Sequence, residues 1–187
     1  MSLRKLAAGL ALGLLAACAA IPRADRDARP FDLLGRVLVT HGRGALTANL
    51  RWQHVVAQDE IWLMTPTGQT VAHILDSGDG ATLTRADQKT YRAASVEALT
   101  QQALGWPLPL SLLQYWVRGE AAPGFAVTST ERGAGDRLTA LTQNGWRVVI
   151  AYQSEGEHAG LVRRLDLTGG GNEIRFVIDT WRNSKEP

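Results

Sequence analysis

From residue 31 onward the chain alternates apolar and polar side chains in short runs, and this period of two constrains the fold more than any other feature. Leu46, Ala48, Leu50 and Trp52 alternate with Thr47, Asn49, Arg51 and Gln53. Successive side chains of a strand point to opposite faces, so the run spells a half-buried antiparallel strand with one apolar side. Segments 34–40, 60–65, 70–75, 81–85 and 90–93 read as further strands, separated by turns at Pro66-Thr67-Gly68, 76–80 and 86–88.

After residue 93 the alternation stops. Ser95 suits a helix N-cap, Val96, Leu99 and Ala103 share one helical face, and Gly105 suits a left-handed stop. Pro107 and Pro109 break the chain, and Pro109 fits the first turn of a second helix over 110–118, closed by Gly119. Leu110, Leu113 and Val117 form one stripe of that helix, with Leu112 and Trp116 beside it, which predicts apolar neighbours on more than one side. Strands then resume: one near 125–130, a hairpin of 138–143 and 146–153 around Asn144-Gly145, and a pair, 161–168 and 173–181, around Gly169-Gly170-Gly171-Asn172. The pattern predicts a mainly β fold with a few helices. The sheet is expected to be antiparallel and curled into an open or partial barrel, with the helices packed on its concave side.

The first segment belongs to a different class. Arg4 and Lys5 precede an apolar run from Leu6 to Leu15 and the small residues Ala16 and Ala17, the pattern of a secretory signal peptide over residues 1–17. Leu15-Ala16-Ala17-Cys18 resembles the lipobox of bacterial lipoproteins, which implies cleavage before Cys18, a diacylglycerol on its thiol and acylation of the new amino group. Ala19 rather than Asp follows, which by the same resemblance favours sorting to the outer membrane of a Gram-negative cell. Three acyl chains anchor far more firmly than one, since each buried methylene contributes about 0.8 kcal/mol. Residues 18–30 then read as the acylated N-terminus and a polar, Pro-punctuated tether that reaches about 40 Å when extended. Residues 31–187 make the folded domain.

Charge and motif content exclude several functions. Without residues 1–17 the chain has 18 basic and 18 acidic residues, so nucleic acid loses its electrostatic case as a partner. His41, His54, His73 and His158 show no metal-ligand spacing and Cys18 is the only cysteine, so no metal or cofactor is expected, and the histidines read as lone strand or exposed residues. No nucleophile-elbow or phosphate-loop motif is present, and an enzyme is not expected.

The tryptophans point elsewhere. Trp52, Trp62, Trp106, Trp116, Trp146 and Trp181 each offer a large rigid apolar surface, suited to a core or to the wall of a greasy pocket. Trp106 and Trp116 flank the Pro-broken helices, which could form a movable lid. Phe31-Asp32-Leu33-Leu34-Gly35-Arg36-Val37, Leu50-Arg51-Trp52 and Pro66-Thr67-Gly68 recur in order with 104–110, 115–119, Gln143-Asn144-Gly145-Trp146 and Ile178-Asp179-Thr180-Trp181. This ordered set resembles the LolB family of outer-membrane lipoprotein receptors across nearly the whole mature chain.

The resemblance implies a mainly β fold, a curled antiparallel sheet forming a half-open barrel with a helical lid on the concave side. It also implies a receptor that accepts lipoproteins from the loaded periplasmic carrier LolA and releases them into outer-membrane lipid, with acyl chains held in an apolar cavity and no nucleotide consumed. Its partners are loaded LolA, the acylated cargo and the membrane, and a monomer is expected. Leu50, Trp52, Trp62, Trp106, Leu110, Leu113, Trp116 and Trp146 are the candidates for cavity wall or lid. Pro66, Thr67 and Gly68 correspond to a membrane-delivery loop, although Thr67 stands where the family carries a bulky apolar residue. Met64 is the nearest apolar substitute. Two other readings stay open on sequence: an outer-membrane lipoprotein with a pocket for a different apolar ligand, and a structural envelope lipoprotein with a solid core.

Overall fold

The computed structural model describes residues 29–56 and 58–182. The signal segment, Cys18 and most of the tether lie outside the described residues, as does the end of the chain. Six strands come first: β1 (Phe31–His41), β2 (Gly44–Val55), β3 (Gln58–Met64), β4 (Thr70–Ser77), β5 (Gly80–Arg85) and β6 (Thr90–Ala93). Helices α1 (Val96–Leu104) and α2 (Leu110–Trp116) follow, then β7 (Val127–Arg132), β8 (Leu138–Gln143), β9 (Trp146–Tyr152), β10 (Val162–Gly169) and β11 (Asn172–Arg182). All eleven strands form one antiparallel sheet in the order β6-β5-β4-β3-β2-β1-β11-β10-β9-β8-β7. The sheet is open and curled, and its first and last strands join two wings, β1–β6 and β7–β11.

Turn chemistry sets the register. Asn144 and Gly145 both have positive φ, as a two-residue hairpin turn requires, and hold Gln143 opposite Trp146. At the joint between wings the β1–β11 register slips between Leu34 and Gly35, a bulge that adds local twist. A Cβ at Gly35 would run into the carbonyl of Val177, so only glycine lets the two backbones meet there.

The helices follow their expected signals. Ser95 caps α1, its hydroxyl accepting from Ala98 N at 3.2 Å, and Gly105 ends it at φ 83°. Helix α2 begins after Pro109 and ends at Trp116, two residues before the expected end. There Arg118 N and Gly119 N turn to carbonyls three residues back, tightening the last turn. Leu110, Leu112, Leu113, Gln114, Tyr115 and Trp116 are all buried, as an all-round apolar helix requires. The strand expected near 125–130 lies at Val127–Arg132, on an exposed sheet edge where little apolar patterning marks its limits.

Candidate functional site

Pairing decides which rows of the first wing face inward. Trp52 lies opposite Leu33 on β1 and Ile61 on β3, and Ile61 lies opposite Ile74 on β4, all of them buried. The inward row of β2 is therefore Leu46, Ala48, Leu50 and Trp52. Helix α1 packs on β5 and β6 rather than directly on this row.

A cavity of about 530 Å³ fills the space between the helices and the first wing. Its walls come from Val37 and Val39 of β1, the four inward residues of β2, Ile61 and Leu63 of β3, Ile74 of β4 and Leu83 of β5. Ile174 and Phe176 of β11 close one flank, and Leu104, Trp106, Leu108, Leu110 and Leu113 form the roof. Exposure along β2 gives the direction of opening: 1% at Trp52, 5% at Leu50 and 47% at Leu46. Leu46, Val71, Tyr91 and Leu104 are the large exposed hydrophobic residues at the mouth. Apolar side chains held in water at the rim of an apolar cavity mark a binding surface rather than ordinary exposure.

The closed end is fixed by polar contacts. The Trp52 indole N–H donates to Asp59 Oδ1 at 2.6 Å, and His54 Nδ1 lies 2.9 Å from the same oxygen. Phe31 meets Trp52 edge-on at 4.9 Å and stacks on His54 at 5.1 Å. His54 is a strand histidine, as the sequence reading allowed, but it is 1% exposed and lies against a carboxylate. Asp59 comes from the neighbouring strand, a pairing that spacing along the chain does not reveal. The roof is tied as well: Ser111 N donates to Glu97 Oε1 at 3.0 Å and Leu108 N to Thr100 Oγ1 at 2.8 Å, joining α2 and its approach to α1.

The structure gathers Leu50, Trp52, Trp106, Leu110 and Leu113 around the cavity and places three other candidates elsewhere. Trp62 is on the convex face. Its register partner Arg51 sits over the ring at 5.1 Å and His73 stacks on it at 5.3 Å. Both parities of β3 are apolar in sequence, so the pattern did not say whether Trp62 or Ile61 faced inward. Trp116 is wholly buried under the second wing, its indole donating to Gln143 Oε1 at 2.9 Å. Trp146 packs over the backbone of Gly169 on the neighbouring strand of that wing. Neither lines the cavity. Leu46 and Ala48 share the row of two chosen residues, and extending that parity would have found them.

The loop Pro66-Thr67-Gly68 is exposed at the tip of the β3–β4 hairpin. Gly68 N donates to Thr65 O at 2.9 Å, and the hydroxyls of Thr65 and Thr67 are 2.8 Å apart. Met64 is only half-buried.

Among the described residues no helix is long and apolar enough to cross a membrane, and no group of three or more His, Cys, Asp or Glu residues is placed to hold a metal.

Comparison with known proteins places this geometry in a family context. The family model described as outer membrane lipoprotein LolB matches residues 29–181. An outer-membrane lipoprotein LolB from Nitrosomonas europaea is 35% identical over 162 residues, covering 86% of this chain and 76% of the relative. Another, from Azoarcus sp. strain BH72, is 33% identical over 174 residues, covering 90% and 89%. The solved structure of a LolA superfamily protein from Nitrosomonas europaea aligns with TM-score 0.51 over 90% of this chain and 94% of its own, at 8% identity, a likeness of fold alone.

Proposed function

The chain belongs to the LolB family of outer-membrane lipoproteins, and from that premise we propose how it handles cargo: the cavity under the first wing takes the acyl chains of a lipoprotein delivered by LolA and passes them into outer-membrane lipid. The observation that carries this reading is the apolar cavity of about 530 Å³ opening through a rim of exposed Leu46, Val71, Tyr91 and Leu104. Acyl chains resist exposure to water, so a carrier, a cavity and a bilayer of successively greater affinity make a downhill relay without nucleotide. Apolar contact is undirected and serves many cargo proteins. No bond is made or broken, so the reading is one of transport rather than catalysis.

A cavity of this size matches a pocket for one drug-sized ligand. Three long acyl chains need more room, and we assign the opening to α1, whose hydrogen bonds from Ser111 N and Leu108 N must then break. It rests on the edge strands β5 and β6, and Gly105, Pro107 and Pro109 separate it from α2. Residues 1–17 act as the signal peptide, Cys18 carries the acyl anchor, and residues 18–30 tether a monomeric domain within reach of the membrane. The Pro66-Thr67-Gly68 loop serves delivery without a large apolar tip. If Thr67→Glu leaves release into liposomes unchanged, that role is abandoned.

Single-turnover transfer from lipoprotein-loaded LolA to the Cys18→Ala chain tests the reading. Uptake should persist, while delivery to outer membranes falls. Photo-crosslinkers at Leu50 and Leu113 should capture the acylated cargo and one at Trp62 should not. Capture at Trp62 alone would move the site to the convex face. Binding of a free lipid with no LolA-dependent transfer would favour the pocket-for-another-ligand reading.

A further inference from the structure

The inward row of β5 reads Ala81, Leu83, Arg85. The first two are buried and apolar; the last, at the mouth, is the single charged residue on the cavity lining among the described residues. Its backbone is fixed, with Arg85 N donating to Lys89 O at 2.9 Å and Ala86 N to Val71 O at 3.0 Å. It pairs across the sheet with Ala72, also on the lining. Elsewhere on this sheet Arg36, Arg51, Arg147, Arg164 and Arg175 each hold a carboxylate, whereas Arg92, Arg163 and Arg182 hold none among the described residues but lie off the cavity lining. Among the described residues Arg85 holds none, so its five N–H donors are free at the threshold of the cavity.

A lipid entering an apolar cavity tail-first leaves its polar junction at the mouth. The carbonyl oxygens there lose water and need replacement donors. An arginine can lay its alkyl stem along apolar surface and present a planar fork to paired oxygens. We propose that Arg85 is the binding site for the ester and amide carbonyls at the head of an acylated cysteine, and so recognises the lipidated end of the cargo; this rests on the acyl-cavity reading above.

The test titrates the Cys18→Ala chain, alone and with Arg85→Met, with three probes: a tripalmitoylated cysteinyl peptide, an alkyl-chain fluorophore without carbonyls, and phosphatidylglycerol. Arg85→Met should lower the preference for the lipopeptide over the alkyl probe about tenfold. Arg43→Met, at the exposed β1–β2 turn and off the cavity lining, serves as the comparison variant. An unchanged preference overturns the proposal, as does an equal fall in Arg43→Met. A fall confined to phosphatidylglycerol assigns the arginine to a phosphate and overturns it too. If the unaltered chain binds no alkyl probe, the cavity reading itself fails and takes the proposal with it.

Discussion

Along β10, in the second wing, the inward residues Leu165 and Leu167 are no more than 1% exposed; along β2, in the first, the inward row is buried as far as Ala48 and then jumps to 47% exposed at Leu46. The strands are alike in pairing and alternation, so the difference comes from what covers them. Over the second wing the chain supplies Trp116 and Val117 from the end of α2 and Ala122 just beyond it. Gln143 fastens this cover to β8: its amide oxygen accepts from the Trp116 indole and from Ala122 N, and its amide nitrogen donates to the carbonyls of Ala122 and Phe125. Over the first wing α1, nine residues long, covers the edge formed by β5 and β6, and Trp106, Leu108, Leu110 and Leu113 roof the rest across an unfilled space. The second wing is a packed core that holds the sheet's shape. The first leaves part of its apolar face unfilled, and that vacancy is the candidate site.

The largest expected effect lies in the packed wing. Trp116→Ala removes a wholly buried ring and strips Gln143 of a donor, so it should destabilise by about 3–5 kcal/mol in urea unfolding. A loss under about 1 kcal/mol would mean that this wing is also loosely filled.

The same substitution made in both wings sharpens the contrast. Leu165→Ala opens a hole among close neighbours and should cost about 3 kcal/mol. Leu50→Ala removes atoms that already face empty space, so it should cost about half as much, near 1.5 kcal/mol, by the same measurement. Binding of an acylated peptide should show the reverse order, weakened by Leu50→Ala and untouched by Leu165→Ala. Equal costs and equal binding would remove the distinction between the wings.

How far the sequence could foresee this follows from the same contrast. The strands, the Asn144-Gly145 hairpin, the Ser95 cap and the Gly105 stop are local chemistry and read directly. The all-round apolar character of α2 predicted its burial on more than one side. The division of the tryptophans was not legible, because it depends on which strand lies beside which. Trp62 and Ile61 are adjacent and both apolar, and only the pairing of Trp52 with Ile61 turns Trp62 outward. Trp116 lies one helical turn past Leu113, yet it faces Gln143 across 27 residues of sequence rather than the cavity. Asp59, which orients Trp52, and Arg85, at the mouth, are single polar residues whose meaning appears only once neighbouring strands are in register.

Trp62 makes a smaller test on the convex face. Trp62→Ala removes the surface under Arg51 and beside His73, which should cost about 1 kcal/mol and leave acyl-peptide binding unchanged. Weakened binding would return this residue to the cavity wall.

The smallest effect concerns the clasp where the end of α2 meets the start of the domain. Arg118 and Arg29 both donate to the Glu120 carboxylate, at 2.7 and 2.8 Å, and Arg118 also donates to the carbonyl of Arg29. Partial burial raises the Glu120 pKa, but the hydrogen bonds and charges of Arg118 and Arg29 outweigh it and hold the group below its ordinary value of 4.5. A carboxyl that binds protons less readily when folded favours the fold fully above that value and loses the contribution as pH falls through the lower, folded pKa. With a side chain 37% exposed and screened by water, the contribution amounts to a few tenths of a kcal/mol at most. Urea midpoints should therefore show a small, constant gap between the parent and Glu120→Gln at neutral pH, narrowing as acid is added below pH 4.5. A gap that widens in acid would mean that the clasp does not hold α2 to the domain's first residues. The helix shared by cavity and core would then be positioned by its packing and by the bonds of Ser111 to Glu97 and of Trp116 to Gln143.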